Sequence, residues 1–324
     1  MRIIIRVTVV VTALLLFSAY GIAADAASGA DTQRAVLVTG ASTGIGRKIA
    51  EVLAEQGHFV YAGARKQADL DALNAIDNIQ AIKLDVTIQE QIDAAVATVR
   101  GGGRGLYGLV NNAGIFIGGP LADVDLEELQ WLMDVNVYGV YRVTQAFAPM
   151  IIEEKGRITT VGSIAGTLSG KFSGHYSMSK HAIEAYTDSL AEEMAPLEVH
   201  VSVIEPGNYD SKIADTAKER LMAKKDQYAK DGSLFAADFE QWISRPWDRS
   251  QYKDPGEVAD AAVHALFDDN PFRRYMVVPR EEEAGWTIGK QIEELVQLNE
   301  YQGYSYTREE LIEKLDAAMA DDSE

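Results

Sequence analysis

From Gln33 onward the chain alternates between short β-branched runs and longer stretches with apolar positions at helical spacing. The runs Ala35–Thr39, Phe59–Ala62, Ala81–Leu84, Gly108–Val110, Arg157–Val161 and His200–Ile204 read as strands, and Met276–Val278 as a seventh. Helical patterns lie between them, near 45–56, 67–75, 88–100, 126–153, 176–194 and 256–267. Strands alternating with helices predict an α/β fold, a doubly wound parallel sheet, because parallel neighbours need crossovers and the crossovers place helices on both faces. The rhythm holds over 33–280 with one interruption and no interdomain linker, which predicts a single domain. That interruption, 208–253, carries Phe235, Phe239, Trp242, Trp247 and Tyr252 among many charges. A long insertion after a strand is expected to be a substrate lid. Its aromatic residues either line an apolar pocket or pack the lid onto the body. Residues 281–324 predict an acidic helical extension broken near Gly303.

The N-terminus has a different pattern. Arg2 and Arg6 precede an apolar stretch from Val7 to Ala19, followed by Ala24-Asp25-Ala26. Basic region, apolar core and A-x-A site are the layout of a secretory signal peptide over residues 1–26. A retained anchor with membrane association is the alternative, although the stretch is short for a span of about 20 residues. The address is therefore exported or membrane-anchored, or cytoplasmic if translation starts further along.

Composition changes the picture in two respects. A net charge of −19 on 324 residues argues against nucleic acid and anionic membrane as partners and points to a strongly hydrated surface. The absence of cysteine excludes disulfides and thiolate metal sites. Five histidines, dispersed without ligand spacing, predict no metal.

The first strand runs directly into Thr39-Gly40-Ala41-Ser42-Thr43-Gly44-Ile45-Gly46, which opens the first helix. Gly40 permits the tight turn, Gly44 lets backbone approach a pyrophosphate, and Gly46 lets the helix pack close to the sheet. The helix N-terminus offers unpaired N–H groups to the anion. Further along, Tyr176 and Lys180 stand one helical turn apart on a common face, with Ser163 upstream. A neighbouring ammonium is expected to draw a phenol pKa down from about 10 toward working pH, giving a general acid or base. Adjacent His175 points about 100° away from Tyr176 on the helix and is expected to line an entrance or face solvent.

The T-G-x-x-x-G-x-G turn resembles that of the short-chain dehydrogenase/reductase family, and the remaining markers follow in order: Asp85-Val86, Asn111-Asn112-Ala113-Gly114, Asn136, Ser163, Tyr176, Lys180 and Pro206-Gly207. The match runs from about Ala35 to Ser211 and weakly to Pro279. The resemblance implies a Rossmann fold and hydride transfer between a nicotinamide cofactor and a secondary alcohol or ketone. It implies Tyr176 as general acid/base, Lys180 lowering its pKa and holding the nicotinamide ribose, Ser163 polarising the substrate oxygen, and Asn136 holding a relay water. It places the cofactor against Gly40, Ser42, Thr43, Gly44, Ile45, Gly46, Asp85, Val86, Asn112, Ala113, Gly114, Tyr176, Lys180, Pro206, Gly207, Tyr209 and Ser211. Tyr209 and Ser211 depart from the family's usual valine and threonine; Ser211 keeps the hydroxyl, and Tyr209 alters the packing there.

The second strand ends without a carboxylate to hold ribose hydroxyls, and Arg65 offers a fork suited to a 2′-phosphate. NADP(H) is therefore expected over NAD(H), with Ser42 as a further hydroxyl contact. The stretch Val161–Met194 and the lid resemble members acting on steroids, retinoids and similar lipophilic alcohols. The resemblance also implies a homodimer or homotetramer through the helices at 126–153 and 176–194. A catalytically silent NADP-binding redox sensor is the alternative function; loss of the tyrosine or lysine would mark it, and both are present.

Overall fold

A computed structural model describes residues 33–228, 232–245 and 252–321. The segment 1–26 and Trp247 lie outside these. The strands are β1 (Ala35–Val38), β2 (Phe59–Ala64), β3 (Ile79–Lys83), β4 (Gly108–Asn111), β5 (Arg157–Val161), β6 (His200–Pro206) and β7 (Arg274–Val277). The helices are α1 (Gly44–Glu55), α2 (Gln67–Asn74), α3 (Gln89–Gly101), α4 (Leu126–Met133), α5 (Gly139–Glu153), α6 (Gly174–Met194), α7 (Lys212–Ala223), α8 (Lys225–Tyr228), α9 (Ala236–Ile243), α10 (Gly256–Phe267), α11 (Glu281–Glu300) and α12 (Arg308–Asp321).

The strands form one parallel sheet in the order β3-β2-β1-β4-β5-β6-β7. Residue character follows position in that order. Central β1 is buried at every residue, whereas edge strand β3 alternates buried Ile79 and Ile82 with exposed Gln80 and Lys83. A strand covered on both faces must be apolar throughout, while an edge strand need not be. This also explains why β3 and β7 begin earlier than the apolar runs suggest: Gln80 and Arg274 are edge-strand residues.

One face of the sheet is covered by α1 and α10, through Ile49, Leu53, Val258, Ala262 and Leu266. The other is covered by α3, α5 and α6, through Ile92, Val99, Phe147, Ile151 and Leu190. The expected helix over 126–153 is α4 and α5 joined by a π-helical turn, Asp134–Tyr138. The order in which successive strands are added reverses between β1 and β4, which opens a crevice at the carboxyl ends of the strands.

The described residues of the insertion form α7, α8 and α9. Phe172, Leu221, Tyr228, Phe239 and Ile243 form its own small core, with Phe116 and Trp242 packed against it. Buried Glu128 of α4 ties it down, accepting hydrogen bonds from Arg220, Lys224 and the Tyr228 hydroxyl. Burial alone would raise the Glu128 carboxyl, but these three donors outweigh it and hold the group below the usual range. No helix among the described residues is long and apolar enough to cross a membrane.

Candidate active site

The crevice is a cleft of about 360 Å³. Its phosphate end is built by the turn from β1 into α1. Gly40 and Gly44 sit at φ +64° and +59°, where a side chain would be strained. A Cβ on Gly46 would lie 2.2 Å from Asn112 Nδ2 and 2.6 Å from Gly40 O. The turn is fixed from behind: Asn112 Nδ2 donates to Thr39 O (3.0 Å) and Gly40 O (3.1 Å), and Thr39 Oγ1 accepts from the Asn112 and Ala113 N–H groups. Thr43 precedes α1 without a side-chain cap, so the first N–H groups of that helix are not capped by its side chain. This cradle fits a pyrophosphate.

Gly40, Ser42, Thr43, Gly44, Ile45, Gly46, Arg65, Asp85, Val86, Asn112, Ala113, Gly114, Ser163, Tyr176, Lys180, Pro206, Gly207, Tyr209 and Ser211 all line this one cleft. Arg65 is well exposed, its Nη1 3.6 Å from Asp85 Oδ2. Asp85 Oδ1 accepts from the Thr87 backbone and hydroxyl. The Tyr209 ring is buried and its hydroxyl donates to Glu257, so its departure from the usual valine is absorbed mainly in the core beside α10.

The opposite end holds Ser163, Tyr176 and Lys180. Ser163 caps a short 3₁₀ turn after β5, and its hydroxyl is near enough to the Tyr176 hydroxyl to favour the phenolate. Lys180 Nζ donates to Val161 O at 2.9 Å and lies 5.6 Å from the Tyr176 ring centroid. Phe116 packs on the Tyr176 ring at 5.1 Å. The expected depression of the phenol is not what these surroundings produce. Burial pushes Tyr176 up to about 12, against the pull of the Ser163 hydroxyl. Burial also pushes Lys180 down to about 8, against the attraction of Glu184. Lys180 is buried and Tyr176 half-buried in the cleft wall, and each group is driven toward its neutral form.

Asn136 is in the π-helical turn behind the cleft wall. Its Nδ2 donates to Ile115 O (2.9 Å) and Ser179 Oγ (3.0 Å), and its Oδ1 accepts from Ile115 N–H (2.8 Å). Both amide donors are thereby occupied, one on Ser179 and one, with the Oδ1 acceptor, in holding Ile115, a cleft residue. The π-turn, a frequent device at functional sites, is what points this side chain inward. His175 is buried rather than at an entrance; it does not line the cleft, and burial pushes its imidazole down. His58 stacks on Phe267, with ring centroids 3.9 Å apart.

Several lining residues had no motif to announce them. Ile213, Thr216, Ala217 and Arg220 form one face of α7, and Trp131 faces them from α4 with Arg220 over its ring at 4.2 Å. Their 213/216/217/220 spacing is the signal that marks such a face. Phe235, Phe239, Trp242 and Tyr252 do not line the cleft; Phe239 and Trp242 pack within the insertion. No cluster of three or more potential metal ligands occurs among the described residues.

The short chain dehydrogenase family model matches residues 34–221. The chain is 34% identical over 271 residues to the mitochondrial D-β-hydroxybutyrate dehydrogenase of Rattus norvegicus, covering 78% of each chain. It is 33% identical over 270 residues to retinol dehydrogenase 16 of Homo sapiens, covering 78% of this chain and 80% of that one. A solved short-chain dehydrogenase of Streptomyces avermitilis superposes with a TM-score of 0.69 at 29% identity, over 84% of this chain and 97% of its own. With the parallel sheet, the glycine turn and this breadth of similarity, the chain belongs to the short-chain dehydrogenase family.

Proposed function

We propose that the protein transfers hydride between NADP(H) and a lipophilic secondary alcohol or its ketone, with Tyr176 as general acid/base. One observation carries this reading: Ser163, Tyr176 and Lys180 converge at one end of a cleft whose other end is the glycine cradle. The nicotinamide, when bound, supplies or accepts the hydride. Tyr176, protonated at neutral pH, donates its proton to the substrate oxygen as a ketone is reduced. Ser163 hydrogen-bonds the same oxygen and stabilises its growing negative charge. Lys180, held at Val161 O, supports the phenolate left behind. Asn136 keeps Ile115 in the cleft wall.

Oxidation of an alcohol runs the sequence backward and needs the phenolate. A phenol raised by burial therefore makes oxidation accelerate from about pH 7 to about pH 10 while reduction does not. Initial rates in both directions at saturating cofactor measure this. Equal pH profiles would contradict the role given to Tyr176.

Support for a lipophilic substrate comes from the far end of the cleft, where Phe116, Trp131, Ile213 and Ala217 are exposed to it. Of the α7 cations that line the cleft, Arg220 has its guanidinium paired with Glu128, and Lys212 is the other. Preference for NADP(H) rests on Arg65 and on the absence of a carboxylate where β2 ends. Arg65→Ala should weaken NADPH binding by about tenfold or more, the value of a charge-assisted contact, and leave NADH binding unchanged. Tighter binding of NADH than NADPH by the unaltered protein would defeat the preference. Exposed Tyr138 and Tyr141, with Met178 on α6, support a homodimer or homotetramer through the α4–α5 and α6 helices.

A panel of lipophilic and small secondary alcohols and ketones, followed by nicotinamide absorbance, tests the activity. Cofactor binding without turnover across the panel would favour the silent sensor.

A further inference from the structure

Helix α11 begins about sixty residues beyond the end of the matched family domain, yet its side chains reach two turns of the cleft. Glu283, in its first turn, is completely buried. Its Oε2 accepts the Asn208 backbone N–H at 2.9 Å, and its Oε1 accepts from Arg280 Nε (3.0 Å) and Nη2 (2.7 Å). A Cβ on Gly207 would fall 2.1 Å from Glu283 Oε2, so the carboxylate sits where only glycine leaves room. Two turns further along α11, Gln291 Nε2 donates to Thr167 Oγ1 at 3.1 Å. Thr167 closes the 3₁₀ turn that Ser163 opens.

We propose that α11 braces the chemical end of the cleft, with Glu283 as a positioning residue for the Pro206–Asn208 turn and Gln291 for the Ser163–Thr167 turn. The two contacts fall on the loops after β5 and β6, on the side of the switch point that holds Tyr176 and Lys180. Neither touches the glycine turn or Arg65, after β1 and β2. A buried carboxylate accepting a backbone N–H is a strong, charge-assisted contact, and the Arg280 fork supplies the counter-charge that makes its burial tolerable. The brace therefore acts on the nicotinamide half of a bound dinucleotide and leaves the adenine half alone; this rests on the cofactor reading given above.

The test compares NADPH with 2′-phospho-ADP-ribose, which lacks the nicotinamide, by titration calorimetry on the full chain. Glu283→Ala should weaken NADPH by about tenfold, the worth of a hydrogen bond to a charged group, and leave 2′-phospho-ADP-ribose within about twofold. Glu283→Gln, whose amide oxygen still accepts from Asn208, should restore most of the loss. Gln291→Ala, an exposed change with little bearing on folding, should show the same asymmetry at about threefold and decides the matter if the Glu283→Ala chain does not fold. Equal weakening of both ligands, or no weakening in any variant, overturns the brace. An unaltered protein that binds neither NADPH nor NADH would refute the cofactor reading instead.

Discussion

Tyr176→Phe should lower turnover in both directions by about a thousandfold, within the range for loss of a general acid/base, while NADPH affinity changes by less than about threefold. The substitution keeps the ring that packs on Phe116 and removes only the hydroxyl. Ser163 Oγ still accepts from the Ala165 N–H, so no isolated polar group is created. The cradle at Gly40–Gly46 lies at the other end of the cleft and is untouched. Rates with a confirmed substrate, together with a calorimetric binding constant, separate the two effects. Near wild-type turnover would remove Tyr176 from the chemistry.

Lys180→Met should lower turnover by at least about a hundredfold and raise the stability of the protein. A buried lysine held down to about 8 from 10.5 opposes folding at neutral pH by about 3 kcal/mol. Methionine fills similar volume without the charge but leaves Val161 O unpaired, a cost of about 1–2 kcal/mol. The net gain is about 1–2 kcal/mol, a rise in Tm of a few degrees. The sign in pH follows from the depressed pKa. The unfolded lysine binds its proton more tightly, so the native penalty is full below about pH 8 and fades as pH rises toward 10.5. The stabilisation by methionine should fade over the same interval. Thermal melts of both proteins at neutral and at alkaline pH measure it; a variant less stable at neutral pH would show that Lys180 is not strained by burial.

What could be read from the sequence followed local chemistry. β1 is apolar at every position because both its faces are covered, and the glycine turn follows it directly. The residues assigned to the cofactor all line one cleft: most stand in the loops that follow the strands, and Tyr176 and Lys180 reach it from α6. Features that depend on distant packing did not show. Nothing in Asp134–Tyr138 marks a π-turn, yet that turn aims Asn136 at Ile115. The Tyr176 phenol was expected to fall because of Lys180, but the desolvation that raises it is a property of the folded pocket. His175 is buried by the same packing. Glu283 meets Asn208 across 75 residues of chain, a contact no spacing rule signals. The aromatics of the insertion left two readings open, and the cluster around Phe239 decides for packing of Phe239 and Trp242.

The central claim is hydride transfer at Tyr176, and isotope transfer tests it most directly. Reduced cofactor carrying deuterium at the transferable position should be incubated with the lipophilic ketones of the panel, and the products examined by mass spectrometry and NMR. Deuterium on the carbinol carbon with the unaltered protein, and its loss with Tyr176→Phe, is the predicted result. Bound cofactor with no deuterium transferred to any ketone, or undiminished transfer by the Tyr176→Phe protein, would contradict it.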